Sequence, residues 1–137
     1  MDAPPDAKEI HRLVMELSRT LMIRFDTAVA ALGLTVPQAM LLRQLDDGMP
    51  MNEVAEALHC DPSNVTGIVD RLERGGLVER RQLETDRRVK RLVLTPEGRQ
   101  MKRRVESILA AAPGLARLPD ADRAVLRDLL NRSIEHP

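Results

Sequence analysis

Two adjacent glycines, Gly75 and Gly76, separate two kinds of apolar periodicity in this chain. Before them, apolar residues recur every three or four positions, which is the spacing of amphipathic helices. After them, the segments "LVERRQL" and "RRVKRLVLT" alternate apolar and polar residues on either side of the polar tip "ETD", which predicts a β-hairpin. The chain is therefore restricted to a helical fold that carries a small β arm.

The first helices are delimited by capping and stop residues. Apolar spacing predicts a long amphipathic helix over residues 7–32, which Gly33 ends. Thr35 is the predicted N-cap of a second helix, because Gln38 follows three residues later and completes a capping box. The second helix is expected to end near the polar stretch "DDG".

Two shorter helices are predicted between this point and the glycines. Asn52 is the expected N-cap of the first, "EVAEALH". Asp61 is the expected N-cap of the second, with Pro62 at the first helical position, where its missing N–H is not needed. This helix is predicted to run to Arg74 and to end at a left-handed glycine.

Two further helices are predicted after the hairpin. Thr95 is the expected N-cap of the first, which breaks at Pro113 and Gly114. The second covers "PDADRAVLRDLLNRSI", and its apolar residues are expected to face inward. These residues are Val125, Leu126, Leu129, Leu130 and Ile134. The predicted fold class is mainly α with a small β-hairpin.

The formal net charge is zero, but the charge is segregated along the chain. Residues 71–104 contain twelve Lys or Arg and five Asp or Glu, so they carry +7, while residues 1–70 carry −6 and residues 105–137 carry −1. A basic middle between acidic flanks is typical of a polyanion-binding face. Chance variation among charged helix faces explains the charge alone equally well.

The sequence "NEVAEALHCDPSNVTGIVDRLE" fits a helix-turn-helix. Small Ala55 lets the two helices approach closely, and Leu58 and Cys60 are expected to fill the corner between them. On the second helix, one apolar stripe consists of Val65, Ile68, Val69 and Leu72. The opposite face consists of Ser63, Gly67, Asp70 and Arg74, flanked by Thr66 and Arg71. Such a face can present polar side chains to base edges in a major groove, although an ordinary surface helix has the same pattern.

The hairpin and the helix before it resemble a known family. In the segment "DRRVKRLVLT", Asp86, Arg88, Leu94 and Thr95 are in register with the wing motif of the MarR (multiple antibiotic resistance regulator) family of bacterial transcription regulators. The run "VDRLERGGLVER" is also similar to the family's sequence at that place. The order of elements resembles that of the family over essentially the full length.

The resemblance implies a winged helix-turn-helix homodimer that regulates transcription, most often as a repressor. Residues 1–137 would form one unit, with residues 35–95 as the DNA-binding lobe and residues 7–32 and 96–135 as dimerisation helices. Two recognition helices would then enter successive major grooves of an inverted repeat. The apolar stripes near both ends of the chain support pairing, since a small monomer has little to bury them against. A purely intramolecular core is the alternative.

The predicted DNA contacts lie on the second helix of the helix-turn-helix and on the hairpin. They are Ser63, Asn64, Thr66, Gly67, Arg71 and Arg74 on the helix, and Asp86, Arg87, Arg88 and Lys90 on the hairpin.

Many relatives also bind small, often aromatic and anionic effectors between the dimerisation helices and the lobe. The resemblance gives as candidate lining residues Met15, Arg19, Met22, Phe25 and Met40, with Arg24 as an alternative anion partner. Core packing is the competing interpretation of the methionines.

The hairpin tip is expected to lie over a minor groove. Arg88 is the side chain predicted to enter it, because a guanidinium is less tightly hydrated than an ammonium. Asp86 lies two residues away, on the same face of the predicted strand. We expect Asp86 to accept hydrogen bonds from a neighbouring arginine and so to hold the tip rigid before DNA binds.

Three residues qualify the resemblance. Gly67 stands where the family often has a long basic side chain, so either the helix approaches the bases closely or one contact is missing. His59 occupies a turn position where glycine is common, and we interpret it as a left-handed turn residue. Cys60 is interpreted as a packing residue rather than a peroxide sensor, because the chain lacks the tyrosines that support such sensors. Gly67 and the zero net charge motivate an alternative function, a winged-helix protein-interaction module without specific DNA binding.

Other function classes are not indicated. His11, His59 and His136 are far apart and Cys60 is the single cysteine, so no metal site or cofactor is predicted. Ser63 has no histidine base near it in sequence, and an enzyme is not expected. No stretch is long and apolar enough to span a membrane, and the first residues do not have the order of a signal peptide, so a cytoplasmic location is expected.

Overall fold

A computed structural model of the chain describes residues 4–46 and 48–135. These residues form six α-helices and a three-stranded antiparallel sheet. The helices are α1 (Ala7–Ala30), α2 (Val36–Gln44), α3 (Met51–Leu58), α4 (Pro62–Arg74), α5 (Pro96–Ala111) and α6 (Asp120–Glu135). The strands are β1 (Met49–Pro50), β2 (Val78–Gln82) and β3 (Lys90–Leu94). The predicted class, mainly helical with a hairpin between the fourth and fifth helices, is confirmed.

Local capping begins α2 where it was predicted. The Thr35 hydroxyl accepts a hydrogen bond from the Gln38 N–H at 3.4 Å, and the Gln38 side-chain oxygen accepts one from the Thr35 N–H at 3.0 Å. Both halves of the capping box are therefore present. The preceding helix ends at Ala30, two residues before the predicted limit, and Gly33 turns the chain with a positive φ of 79°.

The predicted start of α3 is wrong. Asn52 lies inside the helix rather than at its N-cap, which is Pro50. The cause is a tertiary contact, because Met49 and Pro50 pair with β3 as strand β1, and the chain passes directly from the sheet into the helix. The register joins Met49 to Leu92 and Pro50 to Arg91. A strand of two residues is too short for alternation to reveal it.

The base of the hairpin holds the start of α5. The Thr95 hydroxyl accepts a hydrogen bond from the Gly98 N–H at 3.0 Å and donates one to the Gly76 carbonyl at 2.6 Å. A Cβ on Gly98 would lie 1.9 Å from the Leu77 carbonyl oxygen, so only glycine fits at this crossing without a backbone shift. Gly76 has the predicted positive φ, 71°.

The core lies between the first five helices and the sheet. The stripe predicted on α4 is part of it, since Val65, Val69 and Leu72 are buried and Ile68 is half-buried. The largest fully buried side chains are Val29, Leu41, Leu42, Leu45, Val54, Val69, Leu72, Val78, Leu92 and Val105. Because these residues come from α1 to α5 and from the sheet, α4 and the hairpin pack against the same core.

The inward packing predicted for the last helix is wrong for the single chain. Val125, Leu129, Leu130 and Ile134 are between 41% and 74% exposed, and no residue of α6 is buried. The chain turns at Gly114 and a short 3-10 helix, Leu115–Arg117, without returning α6 to the core. Several apolar residues on α1 are exposed as well, and these are Ile10, Leu13, Val14, Met15, Leu17, Met22 and Ile23.

Candidate nucleic-acid interface

One face of α4 is buried, and the other presents polar and basic side chains to solvent. The exposed residues on it are Ser63, Asn64, Thr66, Gly67, Arg71 and Arg74. A Cβ built on Gly67 has no heavy atom within 4 Å, so this face is open at its middle. The six residues predicted to contact DNA from α4 thus share one accessible surface, while their contact with DNA stays a prediction.

The turn between α3 and α4 has the conformation predicted for it. His59 has φ 51° and ψ 39°, which is the left-handed region. Cys60 is half-buried against the core, as the packing interpretation expects, and its thiol lies 3.3 Å from the Leu58 carbonyl oxygen. Asp61 occupies the predicted N-cap position, but its side chain makes no capping hydrogen bond in the part of the chain that the structure describes.

The hairpin tip, residues 83–89, is longer than the predicted "ETD". It is closed by the Leu83 N–H, which donates to the Val89 carbonyl at 3.1 Å, and by the Val89 N–H, which donates to the Asp86 carbonyl at 3.1 Å. Arg87 and Arg88 are therefore exposed turn residues rather than strand residues. We call residues 78–94, with both strands and this tip, the wing.

Asp86 organises the tip through the main chain. Its carboxylate accepts a hydrogen bond from the Arg88 N–H at 3.0 Å. The prediction that Asp86 accepts from an arginine side chain is wrong. Asp86 and Arg88 lie in a turn, where an aspartate side chain bonds the main-chain N–H two residues later. The Arg88 side chain is exposed, as are those of Arg87 and Lys90.

Arg80 on β2 joins the wing to α4. Its guanidinium lies 2.6 Å from the Asp70 carboxylate and 2.7 Å from the Glu73 carboxylate, and its main-chain N–H donates to Glu73 at 3.3 Å. The hydrogen bond that Arg80 donates to Asp70 raises the pKa of Arg80 above its ordinary value. Partial burial opposes this shift, and the negative charge of Glu73 adds to it. The Asp70 side chain, which was predicted to lie on the groove-facing side of α4, thus forms an ion pair with Arg80 within the protein.

Sequence reasoning missed Arg80 and Arg91 as structural residues. Arg91 donates to the Gly48 carbonyl at 3.1 Å and so ties β3 to the loop before β1. For Arg80, the available signal was the pair of acids, Asp70 and Glu73, three residues apart on one helix face where the basic middle of the chain begins. For Arg91, no local signal existed, because its partner is 43 residues away.

An apolar crevice of about 410 Å³ lies between α1 and the end of α5. It is lined by Leu21, Arg24, Phe25, Ala28, Ile108, Leu109, Ala111, Ala112, Pro113 and Leu115. Of the candidate effector residues, Phe25 and the alternative anion partner Arg24 line it. Met15, Arg19 and Met22 are exposed on α1, and Met40 packs against the core. The predicted set is therefore not brought together in one crevice.

The residues that the structure describes contain neither a metal-binding group of side chains nor a membrane-spanning helix. Within residues 4–46 and 48–135, no three His, Cys, Asp or Glu side chains are grouped so as to hold a metal ion, and His136 lies outside these residues. None of the helices in the same ranges is both long and apolar enough to cross a membrane.

A helix-turn-helix with an exposed polar face, followed by a basic wing on the same core, defines a winged-helix DNA-binding protein. The sequence model of the MarR family matches residues 34–90. Over these residues the chain is similar to the MarR family, and it is a DNA-binding transcription regulator.

Relatives match nearly the whole chain. The organic hydroperoxide resistance transcriptional regulator of Bacillus subtilis is 26% identical over 90% of this chain and 85% of its own length. The crystal structure of AbsC, a MarR family transcriptional regulator from Streptomyces coelicolor, is 25% identical with a TM-score of 0.79, covering 99% of this chain and 97% of that one. The structure of CouR from Rhodococcus jostii, bound to p-coumaroyl-CoA, is 29% identical with a TM-score of 0.75, covering 98% and 97%.

Proposed function

We propose that the chain acts as a homodimeric repressor that binds an inverted-repeat operator in the cytoplasm. The observation that carries the proposal is the distribution of exposed apolar side chains. In the described residues, every exposed large hydrophobic side chain lies on α1 or α6, the helices at the two ends of the chain. Apolar faces of this extent are typical of protein-protein interfaces, and a second copy of the chain supplies the same faces.

Two-fold pairing of these helices has a direct consequence for DNA. A symmetric dimer carries two copies of α4, and each copy reads one half-site of a palindrome about one helical turn, roughly 10 base pairs, from the other. Within each half-site, we assign base-edge contacts to Ser63, Asn64 and Thr66, near the amino-terminal end of α4. Arg71 and Arg74 are assigned to phosphates, because they lie in the last turn of the helix.

The wing is assigned to the neighbouring minor groove. Arg88 is the inserted side chain, and Arg87 and Lys90 are assigned to the flanking phosphates. The support is that all three are exposed and that the Asp86 carboxylate orders the tip between them without DNA. A tip that is ordered beforehand loses less conformational entropy when it binds.

We further propose that a small molecule with an apolar body and an anionic group releases the repressor by binding in the crevice beside Phe25. The lining is apolar except for Arg24, which supplies a positive charge for the anionic group. The bound p-coumaroyl-CoA of CouR is a ligand of this chemical kind. A panel of aromatic carboxylates, titrated against the protein-operator complex, would test the proposal, with Arg24→Gln expected to abolish any release.

The experiment that tests the DNA-binding proposal is selection of bound sequences from random duplexes, followed by binding measurements at several salt concentrations. We expect an inverted repeat, and an affinity that falls steeply between low and moderate salt because Lys and Arg displace counterions. A selected site with a single asymmetric half would contradict the dimer. Failure to bind any duplex would favour the protein-interaction module.

A further inference from the structure

Arg80 contacts α4 from the wing, although it lies on neither of the surfaces assigned to DNA. We propose that Arg80 is a positioning residue, which fixes the wing relative to α4 so that both reach their grooves together. The inference rests on the proposed function and deepens it. It assigns a determinant of sequence recognition to a side chain that acts within the protein.

The geometry restrains the wing in more than one direction. One guanidinium nitrogen of Arg80 lies 2.6 Å from Asp70 and another lies 2.7 Å from Glu73, while the Arg80 N–H donates to the second Glu73 oxygen at 3.3 Å. Because the guanidinium is planar and rigid, two carboxylates at two of its nitrogens restrict rotation as well as distance. The two acids are three residues apart and therefore belong to one face of the helix.

The neighbouring arginine provides an internal comparison. Arg81 pairs with Glu79 on its own strand, and the two side chains are 66% and 51% exposed. The Arg80 side chain is only 24% exposed and connects two separate elements. An exposed pair within one strand contributes little and fixes nothing else, whereas the partly shielded pair sets the relation of strand to helix.

The acids themselves are otherwise difficult to explain. Two carboxylates on a helix that enters the groove of a polyanion would weaken binding through repulsion. Arg80 offsets both charges and directs both side chains toward the wing. Asp70 and Glu73 are accounted for if their role is to hold Arg80 rather than to read bases.

Arg80→Gln and Arg81→Gln form a matched pair, because each removes one positive charge from β2. We expect Arg80→Gln to weaken binding to the selected site about tenfold or more, and Arg81→Gln less than about threefold. The affinity for random duplex should fall by the same small factor in both variants. The slope of log affinity against log salt should be unchanged for Arg80→Gln, while a lost phosphate contact would reduce it by about one. Circular dichroism establishes that each variant is folded.

Two further variants separate position from charge. Asp70→Asn/Glu73→Gln removes two negative charges, so it should bind random duplex more tightly and yet prefer the selected site less. Arg80→Lys should restore part of the preference, because a single ammonium cannot hold both carboxylates in the same way. If the double variant binds the selected site more tightly with its preference intact, the inference is wrong.

Hydrogen exchange of the DNA-free protein provides a readout that does not depend on the operator. Amides of the wing strands should exchange faster in Arg80→Gln and not in Arg81→Gln. Equal exchange in the two variants, equal losses on the selected site, or a salt slope reduced by one would each overturn the inference. If the parent selects no sequence, the proposed function fails, while the exchange comparison still reports whether Arg80 holds the wing.

Discussion

The segment from α2 to β3 and the helices at the chain ends differ in what they bury. Between residues 36 and 94, α2, α3, α4 and the sheet all contribute side chains to one core, and long-range polar contacts such as Arg80 to Asp70 join its parts. The amino-terminal half of α1 and all of α6 contribute no buried residue. The first region completes its fold within one chain, whereas the second has apolar faces that require another surface.

This difference separates two tasks. We call the segment from α2 to β3 the winged segment. The contacts inside it set how α4 and the wing are presented to DNA, and they are already formed in the single chain. The proposed pairing of α1 and α6 sets how far apart two such segments lie, and it needs a second copy. Variants in the two regions should therefore fail in different ways.

The largest effect is expected from a charge on the uncovered face of α6. Leu130→Glu should destabilise the proposed dimer by about 3 kcal/mol or more, over a hundredfold in its dissociation constant, because a carboxylate would be buried without a partner. Operator binding should fall with it, while the helical content and the lobe remain intact. Asn131→Glu, which adds the same charge about 100° further around the same helix, is the control. Light scattering with size exclusion measures both, and a Leu130→Glu variant that stays dimeric would refute the assignment of this face.

The next effect should appear at the base of the wing, where α5 begins. Gly98→Ala would place a Cβ against the Leu77 carbonyl oxygen, at a distance of 1.9 Å without relaxation. We expect a loss of about 3 kcal/mol in the free energy of unfolding, because backbone must move at the base of the wing. Urea denaturation measures it. A loss below about 0.5 kcal/mol would mean that this crossing relaxes easily.

Replacing a glycine by alanine on α4 should change the free energy of unfolding in the opposite direction. Gly67→Ala should raise the free energy of unfolding by about 1 kcal/mol, because Gly67 is in a helix interior with open space around its Cβ position. Affinity for the selected site distinguishes the two interpretations of this glycine. If α4 approaches the bases closely at Gly67, the stabilised variant binds more weakly, and unchanged affinity would instead indicate a missing contact.

The smallest effect concerns the tip of the wing. Asp86→Ala should weaken operator binding about fivefold, equivalent to about 1 kcal/mol, because the Arg88 N–H loses its acceptor and the tip loosens. Arg88→Ala should weaken binding more. A model based on charge alone predicts tighter binding for Asp86→Ala, since a negative charge leaves a DNA-facing surface. Fluorescence anisotropy at fixed salt decides between the two signs.

Features controlled by neighbouring residues were predicted correctly from the sequence. The capping box at Thr35, the left-handed turn at His59 and the glycine that ends α4 each depend on a few adjacent residues. Asn52 was wrongly assigned as a cap, because pairing of Met49 and Pro50 with β3 fixes where the helix begins. Local rules contain no information about a strand that arrives forty residues later.

The candidate site divides in the same way. The exposed face of α4 follows from helical periodicity, and the six residues predicted to contact DNA from this helix are all exposed. The links from Arg80 to Asp70 and from Arg91 to Gly48 depend on the hairpin folding back against earlier elements, so composition alone could not reveal them. The exposure of α6 follows from the absence of a covering surface within residues 4–46 and 48–135, which no local pattern encodes.

The distinction between a winged segment that is buried within one chain and terminal helices that pair with a second copy is tested most directly by the mass of the parent protein in solution. Sedimentation equilibrium over a range of micromolar concentrations should give twice the 15.3 kDa chain mass. A mass of one chain throughout this range, for protein whose circular dichroism is that of a folded helical chain, would contradict the account.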